Sequence, residues 1–569
     1  LAFLLALGIN EDLYTSGVAA SDGKRLLYAA NEERFTRRKN DGGFPAASLA
    51  GMLAYLHASP ASVTDICVSG ILTPQLLTRL FPVVQERLWQ SQNSRSEGMM
   101  RHIADFVIHH TPLAHQAPGG NASKITRRIL PAVLRRELPK ALRHARIHII
   151  EHHPAHANCA YYLSGFDRAL CVTADGMGDG VSTTVSACRD GRVERLAWCS
   201  AQHSLGLFFE ALTEAYGYVP GRDEGKLTGL AAHGDPVQVL EKNPFLVREG
   251  DIRYEGPHGL RAVRWFRDNL LQRYSREDVA AWAQQVLEET MLTLVQHWLR
   301  ITGETRLVFG GGIAANVKLN QRLAALPGVK EIFVAPNMSD GGNPVGALAG
   351  CGFLERTRIS NVFLGDDFSD AECEQAFKKH GLAYSKPSEI AQHIGDKLAE
   401  GKSVGRLDGR MEWGPRSLGN RSILAPANDA SMVAKLNQQL KRTDFMPFAP
   451  AMLAEEANRF MVNHEAGLFA GEFMTVCYDC SAEMKALFPA VVHVDNTART
   501  QFVHRDRNPG LHTILSAYAK HSGAGVLLNT SFNIHEEPIV RTPDEAAKAF
   551  VTAGLDCLAL GPYFAQRSY

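Results

Sequence analysis

An excess of charge of either sign is the first thing this 569-residue chain lacks: 60 Lys and Arg stand against 60 Asp and Glu. A net charge of zero gives no global pull toward nucleic acid or an anionic membrane surface. Local basic patches remain, and an anionic small molecule needs only a few such residues. Long apolar runs are missing too. No segment approaches the 18 or so consecutive apolar residues that mark a bilayer-spanning helix. Leu1–Ile9 is apolar but short, with no basic leader and no small-residue cleavage site behind it, so it reads as a first β-strand. Leu at position 1 leaves the true start of the chain open. The ten cysteines are scattered, which fits a reducing cytoplasm better than a disulfide framework. Cys477-x-x-Cys480 has no second pair to accompany it, so a strand with two buried thiols is expected there rather than a zinc site. No internal repeat and no low-complexity tract is apparent.

What is present is ordinary for a globular protein: 45% hydrophobic and 21% charged residues, in a chain too long for one core. Leu4–Ile9, Arg25–Ala30, Ile147–Ile150, Ala169–Ala174 and Arg306–Phe309 read as strands. Between them, Trp282, Val286, Leu294 and Trp298 fall near one helical face, with Ser275 placed to start that helix. Strands followed by long helices and Gly-rich turns predict an α/β architecture. A basic helical stretch over residues 94–146, carrying Arg127, Arg128, Arg135, Arg136, Lys140, Arg143 and Arg146, reads as an insertion. It is either a solvated helix or a lid over an acceptor. A boundary is expected near residues 352–366, dividing the chain into domains 1–355 and 361–569. A second pattern then opens with a helix at Ala371–Lys379. Thr542, Pro543 and Glu545 predict a capped last helix, with a capping box.

Chemistry gathers in two places. In the first half, His152 and His156 of Glu151-His-His-Pro-Ala-His are four residues apart, so a helix would put them on one face. Pro154 prefers a first helical turn, which places His152 just ahead of the helix. Asp175 in Asp-Gly-Met-Gly-Asp-Gly and Asp340 in Asn-Met-Ser-Asp-Gly-Gly add carboxylates beside Gly-rich turns. Two histidines and two carboxylates suit iron(II), manganese or zinc with positions left open. Gly176, the Gly310-Gly311-Gly312 run and Asn316 read as phosphate- or nucleotide-contacting loops. In the second half, Arg416, Arg421, Lys441, Arg442 and Arg499 stand with Asn529 and Ser531 at turns and strand ends. Either they make an oligophosphate pocket or they form structural ion pairs.

At these motifs the chain resembles the carbamoyltransferases of nodulation and antibiotic biosynthesis, including the nebramycin and cephamycin enzymes. The matching segments run in order from Glu32-Glu33-Arg34-Phe35-Thr36-Arg37 through His152–His156, Asp223-Glu224-Gly225-Lys226, Gly310–Asn320, Asp340 and Gly409–Arg421 to Asn529–Asn533. The resemblance implies an N-terminal domain with the actin/Hsp70-type ATPase fold (Kae1-like) and a C-terminal YrdC-like α/β domain. It implies that the C-terminal domain joins carbamoyl phosphate to ATP, with Mg2+, giving carbamoyl-adenylate and pyrophosphate. Transfer to an acceptor hydroxyl would follow at the metal site of the N-terminal domain, with iron(II) favoured. Lys39, Arg416, Arg421, Lys441, Arg442 and Arg499 would bind the two anionic substrates, and Asn529 and Ser531 the adenylate. Asp223 is the first candidate for the base and Glu224 the second, beside Lys226. Relatives often carry a His after the first strand; Gly8–Gly17 has none, so Asp12, Tyr14 or a water would take its part. The expected partners are therefore small molecules in the cytoplasm, with no nucleic acid or membrane, and homodimer formation is left open. Two other readings stand beside this one: a fused tRNA-threonylcarbamoylation enzyme, and a non-catalytic nucleotide sensor.

Overall fold

The computed structural model describes the chain apart from residues 1–3, 74–75, 82, 85, 87–89, 91–117, 442–447, 535 and 568–569. It divides into two compact units, Leu1–Thr36 with Asn40–Ile359, and Arg37–Lys39 with Ser360–Tyr569. The exchange of Arg37–Lys39 is something a division along the chain does not foresee. Within the second unit, the Arg37 guanidinium donates to the carbonyls of Ile539 and Pro538 and pairs with Glu545 at 3.2 Å.

The first unit holds two five-stranded sheets. One is built from β1 (Leu5–Asn10), β2 (Gly17–Ser21), β3 (Leu26–Asn31), β4 (Val63–Ser69) and β5 (Arg146–Ile150), in the order β3-β2-β1-β4-β5. The other is built from β6 (Arg168–Gly178), β7 (Val181–Arg189), β8 (Arg192–Ser200), β9 (Arg306–Gly310) and β10 (Glu331–Val334), in the order β10-β9-β6-β7-β8. Each is an antiparallel three-strand meander extended by two parallel strands. One strand order thus occurs twice, although the sequence shows no repeat. Central strands are buried on both faces, as Leu5–Asn10 is throughout, which is why they appear as continuous apolar runs.

Two helices bring the halves of this unit together. His152–Ser164 and Asn343–Gly350 lie against each other so closely that a Cβ on Gly346 would stand 1.8 Å from the Ala155 carbonyl oxygen. On the other side of the second helix, a Cβ on Gly8 of β1 would stand 1.9 Å from the Pro344 carbonyl oxygen. Helix Arg276–Thr302 starts where Ser275 Oγ accepts from the Asp278 N–H at 3.0 Å and stops at Gly303, whose φ is +66°. Trp282, Val286 and Leu294 point inward. The described part of the basic stretch is helix Asn121–Glu137, which buries Leu130, Val133 and Leu134; residues 94–117 lie outside the described residues.

The second unit is built on a seven-stranded mixed sheet. Its strands are β11 (Val404–Leu407), β12 (Arg421–Pro426), β13 (Ala449–Leu453), β14 (Gln501–Val503), β15 (Val526–Ser531), β16 (Cys557–Leu560) and β17 (Tyr563–Gln566). They lie in the order β14-β13-β15-β12-β11-β16-β17. Its first helix spans Asp370–Lys379, with a complete capping box at Ser369 and Glu372. In the last helix, Pro543–Ala553, Thr542 accepts from the Glu545 N–H as expected. The Glu545 carboxylate, however, takes the Arg541 N–H instead of that of Thr542, so the box is shifted by one residue. Cys477 and Cys480 are both buried and neither is in a disulfide, at the short strand Tyr478–Cys480. Among the described residues no helix is long and apolar enough to cross a membrane.

Candidate functional site

The helix that carries the histidines begins at His152, with Glu151 as its N-cap. Pro154 fits inside the first turn, where a missing N–H costs nothing. His152 is therefore within the helix rather than ahead of it, and helical spacing alone brings its Nε2 to 3.0 Å from that of His156. Asp175 sits in β6 where the ladder to β7 breaks between Ala174 and Gly178, so its side chain is freed from regular pairing. Its Oδ2 lies 3.2 Å from His152 Nε2 and 2.9 Å from His156 Nε2. Asp340, just ahead of helix Asn343–Gly350, places Oδ1 3.2 Å from both nitrogens. The ligand atoms of these four side chains all lie within 4.8 Å of one another.

Glycines make the crowding possible. A Cβ on Gly178 would fall 2.0 Å from the His152 ring, and one on Gly312 would fall 2.9 Å from Asp175 Oδ1. Gly311, at φ +93°, passes 2.2 Å (Cβ position) from the Ala174 carbonyl oxygen, and the Gly310 position faces the His156 carbonyl. The glycine run after β9 thus packs against the cluster itself. Asn316 is fully engaged elsewhere. Its Oδ1 caps the helix Val317–Ala324, and its amide group pairs with Gln284 and Thr228. It is a structural residue here, because neither end of the amide is left for a phosphate. Asp179 also works on the backbone, accepting from the N–H groups of Ile71, Leu72, Thr73 and His152.

Electrostatics set the cluster apart. Burial alone would lower the two imidazoles, but the Asp340 and Asp175 carboxylates outweigh it and hold both above the usual range. Asp175 and Asp340 are pulled below theirs against burial, chiefly by the two histidines. His153, one residue away, is pushed down to about 3 by burial and its neighbours, and its ring is tied to Thr173 and the Val181 carbonyl. It is a structural histidine. Two ring nitrogens and two carboxylate oxygens converging this tightly are a donor set that could hold a divalent metal ion.

More carboxyl groups surround the cluster. Asp12, at the end of β1, is pushed up to about 8 by burial and by the Asp340 charge. Tyr14 packs beneath Gly221, where a Cβ would stand 2.6 Å from its ring. Asp223 is held below the ordinary range despite burial. Arg222 and Lys226 pair with it at 3.2 and 3.1 Å, and the Val219 N–H donates to it. A carboxylate so well satisfied is a poor base. Burial instead pushes Glu224 up to about 7, so the order of the two candidates reverses: Glu224 ranks ahead of Asp223. Glu210 was missed by sequence reasoning. It lies on the mostly apolar helix Leu205–Ala215, with Oε1 2.8 Å from where a Gly176 Cβ would be. Burial, with the charges of Glu224, Asp175, Asp340 and Asp12 behind it, raises Glu210 well above the carboxylate range. An acid on the inward face of an apolar helix was the available signal.

In the second unit, the basic residues separate by their partners. Arg421 is fully buried, and all three of its guanidinium nitrogens donate to backbone carbonyls, those of Arg541, Asp408, Gly409, Asn420 and Asp366. It holds the fold, with each guanidinium nitrogen already engaged by a main-chain carbonyl. Arg416 and Arg499 are different. Both keep a little surface open but are surrounded by protein, and the Nε of each is buried without a partner among the described residues. Burial lowers both guanidiniums, and for Arg416 the charge of Arg499 adds to the effect. Glu412 braces the loop that carries Arg416, its Oε1 accepting from the Leu418, Asn420 and Arg421 N–H groups at 2.9, 2.8 and 3.1 Å. Asn529 donates to Ser417 O and Gln501, and leaves its buried Oδ1 unmatched. Ser531 ends β15 opposite Ser422. Lys39 belongs to this unit as well. Lys441 ends the helix Ser431–Leu440 at φ +56° and is exposed; Arg442 lies outside the described residues.

Comparisons with known proteins agree over most of the chain. The family model described as Carbamoyltransferase N-terminus matches residues 6–349, and that described as Carbamoyltransferase C-terminus matches residues 395–567. The nodulation protein NolNO of Sinorhizobium fredii is 31% identical, over 97% of this chain and 78% of its own. The 3'-hydroxymethylcephem-O-carbamoyltransferase of Amycolatopsis lactamdurans is 30% identical, over 61% of this chain and 65% of its own. Among solved structures, HypF of T. kodakarensis aligns with a TM-score of 0.34 at 15% identity, over 62% of this chain and 48% of its own, a likeness too distant to build on.

Proposed function

The chain belongs to the carbamoyltransferase family, and from that premise we propose that it is an ATP-dependent O-carbamoyltransferase with one half-reaction in each compact unit. The observation that carries the reading is the pair Arg416 and Arg499. Two enclosed guanidiniums with no carboxylate paired to either among the described residues are costly to bury, and a polyphosphate is the ligand that makes them favourable. The doubled strand order of the first unit supports its reading as a Kae1-like ATPase-type fold, and the second unit is read as YrdC-like.

In the second unit, atoms balance if carbamoyl phosphate yields carbamate and phosphate with one water. A carbamate oxygen then bonds the α-phosphorus of ATP, whose bond to the bridging oxygen breaks to release pyrophosphate. Charge builds on phosphate oxygens during that step. Arg416, Arg499 and Lys39 would offset it without reorganising, with Asn529 and Ser531 orienting the adenylate. Mg2+ would accompany the nucleotide.

In the first unit the carbamoyl carbonyl passes to an acceptor hydroxyl of a sugar or natural product, and AMP leaves. His152, His156, Asp175 and Asp340 would hold a divalent metal, iron(II) being favoured, which when bound supplies Lewis-acid polarisation of a phosphoryl or carbonyl oxygen. Glu224 takes the hydroxyl proton, because a base near pH 7 both is ionised and accepts a proton readily. Glu210, kept protonated, donates a hydrogen bond toward the same space, and Asp12, Tyr14 or a water takes the part of the histidine that relatives carry after the first strand.

The test is pyrophosphate release from ATP by the purified full-length protein with divalent metal. Release that requires carbamoyl phosphate is the expected result, and its absence would refute the reading. Formation of AMP that depends on threonine and bicarbonate would favour the fused tRNA-modifying enzyme. Nucleotide binding without turnover over several acceptors would favour the sensor. A finer test concerns the base. Transfer should rise with pH through about 7, as Glu224 loses its proton. Glu224→Gln should remove that limb and lower transfer by roughly 10²-fold or more, with pyrophosphate release unchanged. Measured pH–rate profiles of both activities decide it.

A further inference from the structure

The helix that carries His152 and His156 is not capped by the side chain of its own N-cap residue. Glu151 makes no side-chain bond to the first turn, and its Oε2 is taken by Arg195 at 2.7 Å. The first N–H groups of a helix have no partner within it, and that of His152 is met from elsewhere. Asp179 accepts it through Oδ2 at 2.9 Å. A carboxylate in that place also suits the positive end of the helix dipole. The other oxygen, Oδ1, accepts from three successive N–H groups, those of Ile71, Leu72 and Thr73, at 2.9, 2.6 and 3.1 Å. The Asp179 N–H completes the group by donating to Thr73 Oγ1 at 3.0 Å.

Asp179 stands at the tip of the β6–β7 hairpin. Gly178 pairs with Val181 across the two-residue turn Asp179-Gly180, whose φ values are +53° and +82°. An Asp-Gly turn adopts that left-handed pair readily. Asp175 is on the same hairpin, within β6. The tip therefore meets His152 twice, with Gly178 against its ring and Asp179 at its N–H. His153 supports the same join through Thr173 and the Val181 carbonyl. Asp179 does more, because it holds the backbone of the ligand residue itself and ties it to the loop after β4.

Three of the four candidate ligands, His152, His156 and Asp175, come from the two elements joined in this way. We propose that Asp179 is a positioning residue for the metal centre, a remote helix cap that sets the two imidazoles at their distance from Asp175; this rests on reading the four side chains as a metal site. Groups outside the ligand set that fix the ligands' orientation contribute strongly to metal affinity. Residues 71–73 serve as the anchor, since one carboxylate oxygen held by three N–H groups has little freedom to move.

The experiment uses full-length wild type, Asp179→Asn and Thr73→Val, stripped of metal, with cobalt(II) as the probe. Asparagine keeps the side-chain shape and tolerates the positive φ, but its Nδ2 is a donor and cannot accept from the His152 N–H. Thr73→Val removes the acceptor of the Asp179 N–H and leaves the carboxylate in place. Cobalt(II) affinity, measured against a competing chelator, should fall by about tenfold or more in Asp179→Asn and by less in Thr73→Val. The visible spectrum of the bound ion should change too, because it reports the arrangement of ligands. A residue that served the fold alone would lower the Tm and leave the affinity and spectrum of the folded protein as they were. Wild-type affinity and spectrum in folded Asp179→Asn overturn the proposal; if that variant does not fold, the same result in Thr73→Val does so. Amide exchange reads the cap without metal. The N–H groups of residues 71–73 and 152 should exchange about tenfold or more faster in Asp179→Asn than in wild type, and equal rates also overturn the proposal. If wild type takes up no cobalt(II), the metal reading fails, while the exchange rates still decide whether Asp179 caps the helix.

Discussion

Asp340→Ala should abolish carbamoyl transfer while carbamoyl-phosphate-dependent pyrophosphate release continues. Asp340 Oδ1 is 3.2 Å from both His152 Nε2 and His156 Nε2, and its removal takes one of the four donors from a site whose geometry depends on all of them. A loss of at least about 10³-fold in transfer, on the order of 4 kcal/mol in barrier, is expected for a lost metal ligand. Metal content measured on the purified variant should fall in parallel. The two imidazoles also lose the charge that holds them above the usual range, so with both proteins stripped of metal they should titrate lower by NMR in the variant than in wild type. Because Asp340 belongs to the first compact unit and Arg416 and Arg499 to the second, adenylation serves as the internal control. Loss of both activities together would refute the assignment of the half-reactions.

Arg499→Ala should have the opposite pattern, blocking adenylation first. Removing a fixed cation from a site where phosphate charge develops costs about 10²- to 10³-fold. Arg499→Lys should recover only part of this, since an ammonium cannot reproduce a planar two-pronged contact with phosphate. A second measurement separates ligand binding from a structural role. Arg499 Nε is buried without a partner, and burial lowers the guanidinium, so the ligand-free protein carries a desolvation cost there. Thermal unfolding of ligand-free Arg499→Ala should therefore occur at the same temperature as wild type or higher. In contrast with wild type, ATP should not raise it. A marked fall in the ligand-free Tm would mean that Arg499 supports the fold, as Arg421 does.

Features with a short period or a local cap were legible along the chain. The histidine pair follows from helical spacing, Ser275 and Thr542 from capping preferences, and the buried strands from their apolar runs. The resemblance, carried by motifs in order from Glu32 to Asn533, pointed to the family before any geometry was available. The passage of Arg37–Lys39 into the second unit was not legible, because contacts with residues some 500 positions away, such as those of Arg37 with Pro538, Ile539 and Glu545, tie that segment there.

By itself, then, the sequence determined that two cores exist, that two histidines share a helix face, and which family's motifs the chain carries. These depend on residues a few positions apart or on patterns read in order. The tertiary structure decided which of several similar residues are available for chemistry. Arg421 and Arg499 look alike in sequence, yet one donates to five backbone carbonyls and the Nε of the other is buried without a partner. Asp223 and Glu224 are neighbours, yet paired cations hold one low and burial lifts the other to about 7. Glu210 and the buried Glu11–Arg79 pair had no motif to announce them. The reason is common to all of these. A side chain's charge state and free donors depend on desolvation and on partners brought from distant parts of the chain, and those exist only once the chain is packed.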